Sequence, residues 1–479
     1  MGVLSGLQPQ GVFHFFEELC AIPHGSHNTK AISDYLAAFA GKRRLKFRQD
    51  ELNNVIIWKD PTAGYENAPT VMIQGHIDMV AEKEADCEKD MEKEGLDLFV
   101  DGDLLGARGT TLGGDDGIAV AMALAILDAE DIPHAPLECL FTVDEEVGML
   151  GARGLDASDL KAKYLLNVDS ETEKVFTVSC AGSTRAVCTL PMSRAAFDGT
   201  ILKLTVEGLS GGHSGEEIHK GRANANTVMG RALTELMKVT DLRLLTVSGG
   251  AKDNAIPRDA AALVTVKEPR AAETVALTLG RALADEYRAT DGDIRVKLAS
   301  AKSDIIPMDE DSTRRVAAFL FCAPGGVQMM SAEVPGLVQT SLNLGHVSTE
   351  DGAVTARFMI RSSVDSQAAE TTGKVITLTE ALGGSVDIPA SYSAWPYRPD
   401  SHLRDVMVEA FRAVYHEEPR IEALHAGLEC GILSGKIPDL DCISFGPDLT
   451  DIHTPRERLH IASTERTWRL MLETLKRLK

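Results

Sequence analysis

Apolar residues recur with a helical period over residues 10–20 (QGVFHFFEELC) and again over 28–41, and the loop Ile22-Pro23-His24-Gly25-Ser26 separates the two stretches. Beyond residue 50 the pattern changes to short apolar runs bounded by turn residues, which predict strands at 54–58, 70–74, 138–143 and 164–168. Between the second and third of these runs, residues 117–129 (GIAVAMALAILDA) are apolar on nearly every face, the mark of a buried helix. Wholly apolar strands interleaved with helices predict an α/β fold around a mainly parallel sheet.

From about residue 184 the texture changes. The runs ILKLTVEGL, LRLLTVSGG, AALVTVKE, IRVKLAS and VTARFMIRS alternate apolar and polar positions, as half-exposed antiparallel strands do, and helical patterns fall at 223–238, 270–287, 311–322 and 366–382. This predicts an α+β insertion, built as two similar halves. The α/β texture returns from residue 392, with a helix at 402–415, a strand at 441–445 and a helix at 464–478. The expected organisation is therefore one α/β domain formed by residues 1–183 and 391–479, interrupted by an inserted α+β domain of residues 184–390.

Bulk composition narrows the function classes. A chain of 479 residues is too long for one ordinary core, and 44% apolar with 25% charged residues is an ordinary globular composition. A formal charge of −22 argues against nucleic acid or an anionic membrane as partner, since both need clustered Lys and Arg. The eight cysteines are scattered without a CxxC pair, which predicts buried thiols in a reducing, cytoplasmic setting. The first residues, MGVLSGLQPQGVFHFFEEL, lack the layout of a signal peptide, and no apolar run approaches the ~20 residues needed to span a bilayer.

Candidate chemistry gathers at the predicted strand ends. His76 (VMIQGHIDMV), Glu145 and Glu146 (LFTVDEEVGM) and Asp169 (YLLNVDSE) each follow a strand, and His453 (LTDIHTPRE) comes shortly after the strand at 441–445. In an open parallel sheet these carboxyl ends are where ligands bind. Asp115, in TTLGGDDGIA, occupies a Gly-rich turn before the buried helix, where one carboxylate can bridge two ions. Two histidines and three carboxylates (His76, Asp115, Glu146, Asp169, His453) form a nitrogen/oxygen set suited to zinc or a neighbouring divalent ion. A catalytic zinc takes three protein ligands, so five with a shared carboxylate fit a two-metal site.

The strings GHIDMV, LGGDDG, DEEVGMLGA, NVDSE and the late His-Thr-Pro resemble the di-zinc metallopeptidase family of aminoacylases, carboxypeptidase G and carnosinase-type dipeptidases. GGHSGEEIHKGRANAN (211–226), DNAIPRD (253–259) and HAGLECGIL (425–433) narrow the likeness to its bacterial aminoacyl-histidine dipeptidase subgroup. The resemblance runs from about residue 10 to the end of the chain. It implies a phosphorylase/hydrolase-like catalytic domain carrying the inserted α+β domain as a lid.

By position, the resemblance makes Asp115 the bridge, with His76 and Asp169 completing one site and Glu146 and His453 the other. It implies a cis peptide between Asp115 and Asp116, and Asp78 as the acceptor for the second nitrogen of His76. Glu145 becomes the general base. His213 becomes a donor to the substrate carbonyl, brought in by closure of the lid; supply from a homodimer partner through the lid and supply within one chain both stay open. Asn254 and Arg361 would hold the substrate carboxylate, and His425 and Gly427 would line the same pocket. The implied cofactors are two divalent ions, zinc first, with manganese or cobalt also suited to these ligands. The implied substrates are unblocked dipeptides, Xaa-His such as β-alanyl-histidine among them. The alternatives are a deacylase of N-acyl amino acids and an inactive ligand-binding protein on the same scaffold.

Overall fold

The structure, a computed structural model, describes residues 2–479, which pack as two compact units. The first runs through Cys180 and takes in Tyr397–Ala423 and Leu428–Lys479; the second is Ala181–Pro396 with Leu424–Gly427.

The first unit is built on an eight-stranded sheet. Its four inner strands, Leu137–Thr142, Val71–His76, Tyr164–Asn167 and Asp441–Ser444, lie in that order and all run parallel. The outer strands Lys46–Gln49 and Val55–Lys59 are antiparallel additions at one side. The runs VMIQGH and LECLFT are buried at every residue, which is why their sequence shows no alternation. The helix Gly114–Asp128 lies against Val71–His76 and against the helix Gln10–Cys20, and its buried side chains join one core with Phe13, Phe16, Ile73 and Phe141. The packing is close: a Cβ on Gly75 would lie 2.5 Å from Asp116 Oδ2 and 2.6 Å from Ala119 Cβ. Asp115 (φ −83°, ψ 105°) and Asp116 (φ −117°, ψ 27°) depart from helical geometry, and their peptide bond is cis, as the resemblance implies.

The second unit carries a sheet with the order Arg295–Ser300, Thr200–Glu207, Ala260–Val266, Leu242–Gly249, Val338–Glu350, Ala353–Ser362, Gly182–Pro191, Ser385–Tyr392. It divides into two halves of like topology. In chain order, Thr200–Glu207, helix Ala225–Met237, Leu242–Gly249, Ala260–Val266, helix Pro269–Glu286 and Arg295–Ser300 form a β-α-β-β-α-β motif. Gly182–Pro191, helix Glu310–Cys322, Val338–Glu350, Ala353–Ser362, helix Asp365–Ala381 and Ser385–Tyr392 repeat it, with the first motif inserted after the opening strand. The halves meet through the pair Gly249 and Val347.

This unit is wider than the 184–390 read from texture. Gly182 already pairs with Ser362, and the Ala181 amide bonds to the carbonyls of Leu424 and Ala426, which draws that short segment into the unit. The apolar pattern also does not predict the strand Val338–Glu350. The strand is buried on both faces over residues 340–345, and Thr340, Ser341 and Asn343 are polar yet buried, so hydropathy alternation is erased there.

Candidate functional site

The parallel strands of the first unit deliver the predicted ligands to one place. His76 ends its strand, Asp169 stands two residues past Asn167, and Glu145 and Glu146 follow Thr142. His453, at φ +60°, sits in the loop between the short strands Leu449–Thr450 and Arg458–His460, which belong to a separate four-stranded sheet. Asp115 turns Oδ1 to His76 Nε2 and Oδ2 to His453 Nε2, each at 3.1 Å. Asp169 Oδ1 lies 3.8 Å from His76 Nε2, and Glu146 Oε1 lies 2.9 Å from His453 Nε2. Donor atoms of Asp115, Glu146 and His453 all fall within 4.8 Å of one another, as do those of His76, Asp116 and Asp169 and those of His76, Glu145 and Glu146.

Charge decides what such a cluster needs. Asp115, Asp116, Glu145, Glu146 and Asp169 bring five carboxylates together against two imidazoles. Burial pushes the Glu145 carboxyl up to about 8 against the pull of His76, with Glu429 and Glu146 adding repulsion. Burial, then the charge of Asp116, likewise raises Asp169 well above the carboxylate range. Asp115 is also buried, but hydrogen bonds from His453 and His76 overcome that and hold it low. Its hydrogen bonds in turn lead the rise of His453 to about 10. A proton thus sits wherever an imidazole faces a carboxylate, and cations would neutralise the same positions. Glu146 Oε1 is buried without a well-aligned hydrogen bond, leaving a lone pair for an ion. The donor set therefore fits two divalent cations.

Three buried acids brace these ligands. The Asp78 carboxylate accepts the backbone N–H of Glu145 (3.0 Å) and Glu146 (3.4 Å) and the Ser26 hydroxyl (2.8 Å). Asp78 faces His76 Nδ1 with two acceptors, its main-chain carbonyl at 2.9 Å and its carboxylate at 3.5 Å. Glu429 Oε2 accepts from Gln74 Nε2 (2.5 Å) and Thr142 Oγ1 (2.6 Å), and Asn167 Nδ2 donates to Gln74 Oε1 at 2.6 Å. Gln74 and Asn167 stand two residues before His76 and Asp169, so strand alternation puts this polar layer on the ligand side of the sheet. Glu457 accepts from the backbone of residues 112–115.

In the second unit, His213, Arg361 and His425 surround Gly215. A Cβ there would lie 2.5 Å from the His425 carbonyl oxygen, 3.1 Å from His213 Cε1 and 3.2 Å from Arg361 Nε. Arg361 is only 6% exposed and its Nε has no hydrogen-bond partner. Burial, then the charge of Arg361, pushes His425 down to about 3, and the same two causes lower His213. His425 Nε2 pairs with Ser341 Oγ at 2.7 Å. The Glu216 amide donates to His213 Nδ1 at 3.2 Å, so the neutral ring carries its proton on Nε2. Asn254 lies beside these residues in the backbone: its carbonyl accepts from Ser214, and His213 pairs with Ala255. Gly427 faces the ring of Tyr392, where a side chain would have no room. A buried guanidinium flanked by neutral imidazoles can bind a carboxylate.

Sequence reading passes over Asp116, Glu429 and Glu457 as site residues. Glu429 falls inside a quoted string, HAGLEC, but a single buried Glu carries no sequence mark of its burial.

The chain matches the profile of Peptidase family M20/M25/M40 over residues 72–477. It is 36% identical to the cytosol non-specific dipeptidase of Escherichia coli, over 99% of both chains. Among solved structures, an aminoacylhistidine dipeptidase from Vibrio alginolyticus is similar at a TM-score of 0.92 and 36% identity, covering 100% of this chain and 98% of that one. An aminopeptidase PepT from Bacillus cereus shares the fold at a TM-score of 0.57 and 15% identity, covering 98% and 99%.

Proposed function

Because the chain belongs to Peptidase family M20/M25/M40, we propose that it is a metal-dependent dipeptidase of the cytosol, cleaving unblocked dipeptides with Xaa-His among them. The observation that carries this is the Asp115 carboxylate, which turns one oxygen to each of two histidines that stand with their own acidic partners. His76, Asp115 and Asp169 would hold one ion, and Asp115, Glu146 and His453 the other, zinc being the first choice for this nitrogen/oxygen set. When bound, such a pair polarises the scissile carbonyl and makes water acidic enough to deprotonate near neutral pH.

The chain's own residues supply the rest. Glu145 accepts the proton of the attacking water on its carboxylate and returns it to the departing amine. Asp78 holds the Glu145 amide, so the base keeps its place through the proton transfers. His213, neutral with its proton on Nε2, donates to the developing oxyanion. Arg361 binds the C-terminal carboxylate of the substrate in a fork, while Asn254, His425 and Gly427 shape its pocket.

The test is hydrolysis of a panel of free dipeptides and N-acyl amino acids by the purified protein, before and after chelation. Chelator-sensitive cleavage of dipeptides supports the reading. Cleavage confined to N-acyl amino acids would make it a deacylase, and two bound ions without hydrolysis of either class would make it a binding protein.

A further inference from the structure

Glu457 stands outside the mechanism above, yet it is the most heavily used carboxylate near the site. Its Oε2 accepts the amides of Leu112 (2.8 Å) and Gly113 (3.1 Å), and its Oε1 those of Gly114 (2.8 Å) and Asp115 (3.4 Å). Four consecutive N–H groups converge on one side chain that is 2% exposed. Without it they would be buried donors lacking an acceptor. The loop is shaped to the acid: Gly113 takes φ +66°, and a Cβ on Gly114 would lie 2.5 Å from Leu449 Cδ2 and 3.3 Å from Glu457 Oε1. Glu457 is also tied to the opposite ligand. It lies four residues past His453, and its own amide bonds to the Thr454 carbonyl at 3.0 Å. One short segment therefore carries a ligand of one ion and the clamp on the backbone that bears the carboxylate shared by both.

We propose that Glu457 is a positioning residue for the bridging carboxylate: it sets the 112–115 loop before ions arrive, and thereby governs the affinity for the ion pair. The proposal rests on the two-ion reading above. A residue serving the fold alone would change stability and leave ion binding by the folded protein untouched.

The experiment is zinc binding by the full chain and by Glu457→Gln, measured by competition with a chromophoric chelator, with circular dichroism as the check on folding. In the glutamine variant an amide nitrogen faces two backbone donors. Its zinc affinity is expected to fall about 10- to 100-fold, the usual cost of losing support behind a ligand. Excess zinc is expected to restore kcat with KM for a dipeptide unchanged. A folded Glu457→Gln that binds two zinc ions with parental affinity overturns the proposal. A parent chain that binds no ions overturns the two-ion reading instead. Should the variant not fold, amide hydrogen exchange of the chelator-stripped parent decides: amides 112–115 are expected to be as protected as in the zinc-loaded protein, and free exchange without ions overturns the proposal.

Discussion

Asp78 holds Glu145 by its backbone: the Asp78 carboxylate accepts the Glu145 N–H at 3.0 Å, within a buried corner that also takes the Ser26 hydroxyl. The main chain of Glu145 is thereby fixed without using its carboxyl. Glu145→Gln keeps the backbone contact and the volume and removes only the basic oxygen. The expected result is a loss of about 10²- to 10⁴-fold in kcat, the typical share of general base catalysis, with KM and bound metal little changed. Steady-state kinetics with metal analysis on one preparation checks both.

Ion binding should be linked to pH in a definite direction. In the metal-free protein His453 is raised to about 10, first by its hydrogen bond to Asp115, and His76 is raised well above its ordinary value: burial opposes its charge, and the hydrogen bonds to Asp115 and Asp78 outweigh it. Both rings therefore hold protons at pH 7, and an ion must displace them. Zinc binding at pH 7 is expected to release protons, and the apparent affinity to increase as pH rises toward 10 and to fall in acid. Calorimetry in buffers of different ionisation enthalpy reads the release directly.

Arg361 offers a test of the second unit. Replacing it with Lys keeps the charge and loses the fork. The expected outcome is a KM for free dipeptides raised about 10- to 100-fold, in line with ~1.5–3 kcal/mol for hydrogen bonds to a charged group. Dipeptide amides, which lack the carboxylate, should be poor substrates for the parent and change little in the variant. Comparing the two substrate series separates recognition of the carboxylate from general damage.

Gly75 lies where the helix Gly114–Asp128 crowds the strand Val71–His76. An added Cβ would meet Asp116 Oδ2 at 2.5 Å and Ala119 Cβ at 2.6 Å. Gly75→Ala is expected to cost about 1–3 kcal/mol of stability through overpacking. Urea unfolding of the metal-free protein measures it as a lower midpoint with an unchanged slope.

Much of the site is visible in the sequence because its chemistry admits few residue types. His76, Glu146 and Asp169 stand at or just past the ends of apolar strands, so spacing alone brings them to one edge. The supports are a different matter. Glu457 sits in PRERLH, a string that reads as solvated charge, and only the fold brings it beneath four amides 342 to 345 residues away. Gln74 and Asn167 interrupt apolar strands without announcing that they pair with each other. The sheet of the second unit was partly hidden for a related reason: buried Thr340, Ser341 and Asn343 break the alternation by which strands are recognised.

Anomalous scattering from crystals of the zinc-loaded protein reads whether Asp115 bridges two ions. Two peaks are expected, one beside each carboxylate oxygen of Asp115 at ~2.0–2.2 Å, the first also bound by His76 and Asp169 and the second by Glu146 and His453. A single peak, or two peaks of which only one touches Asp115, would contradict the bridging role.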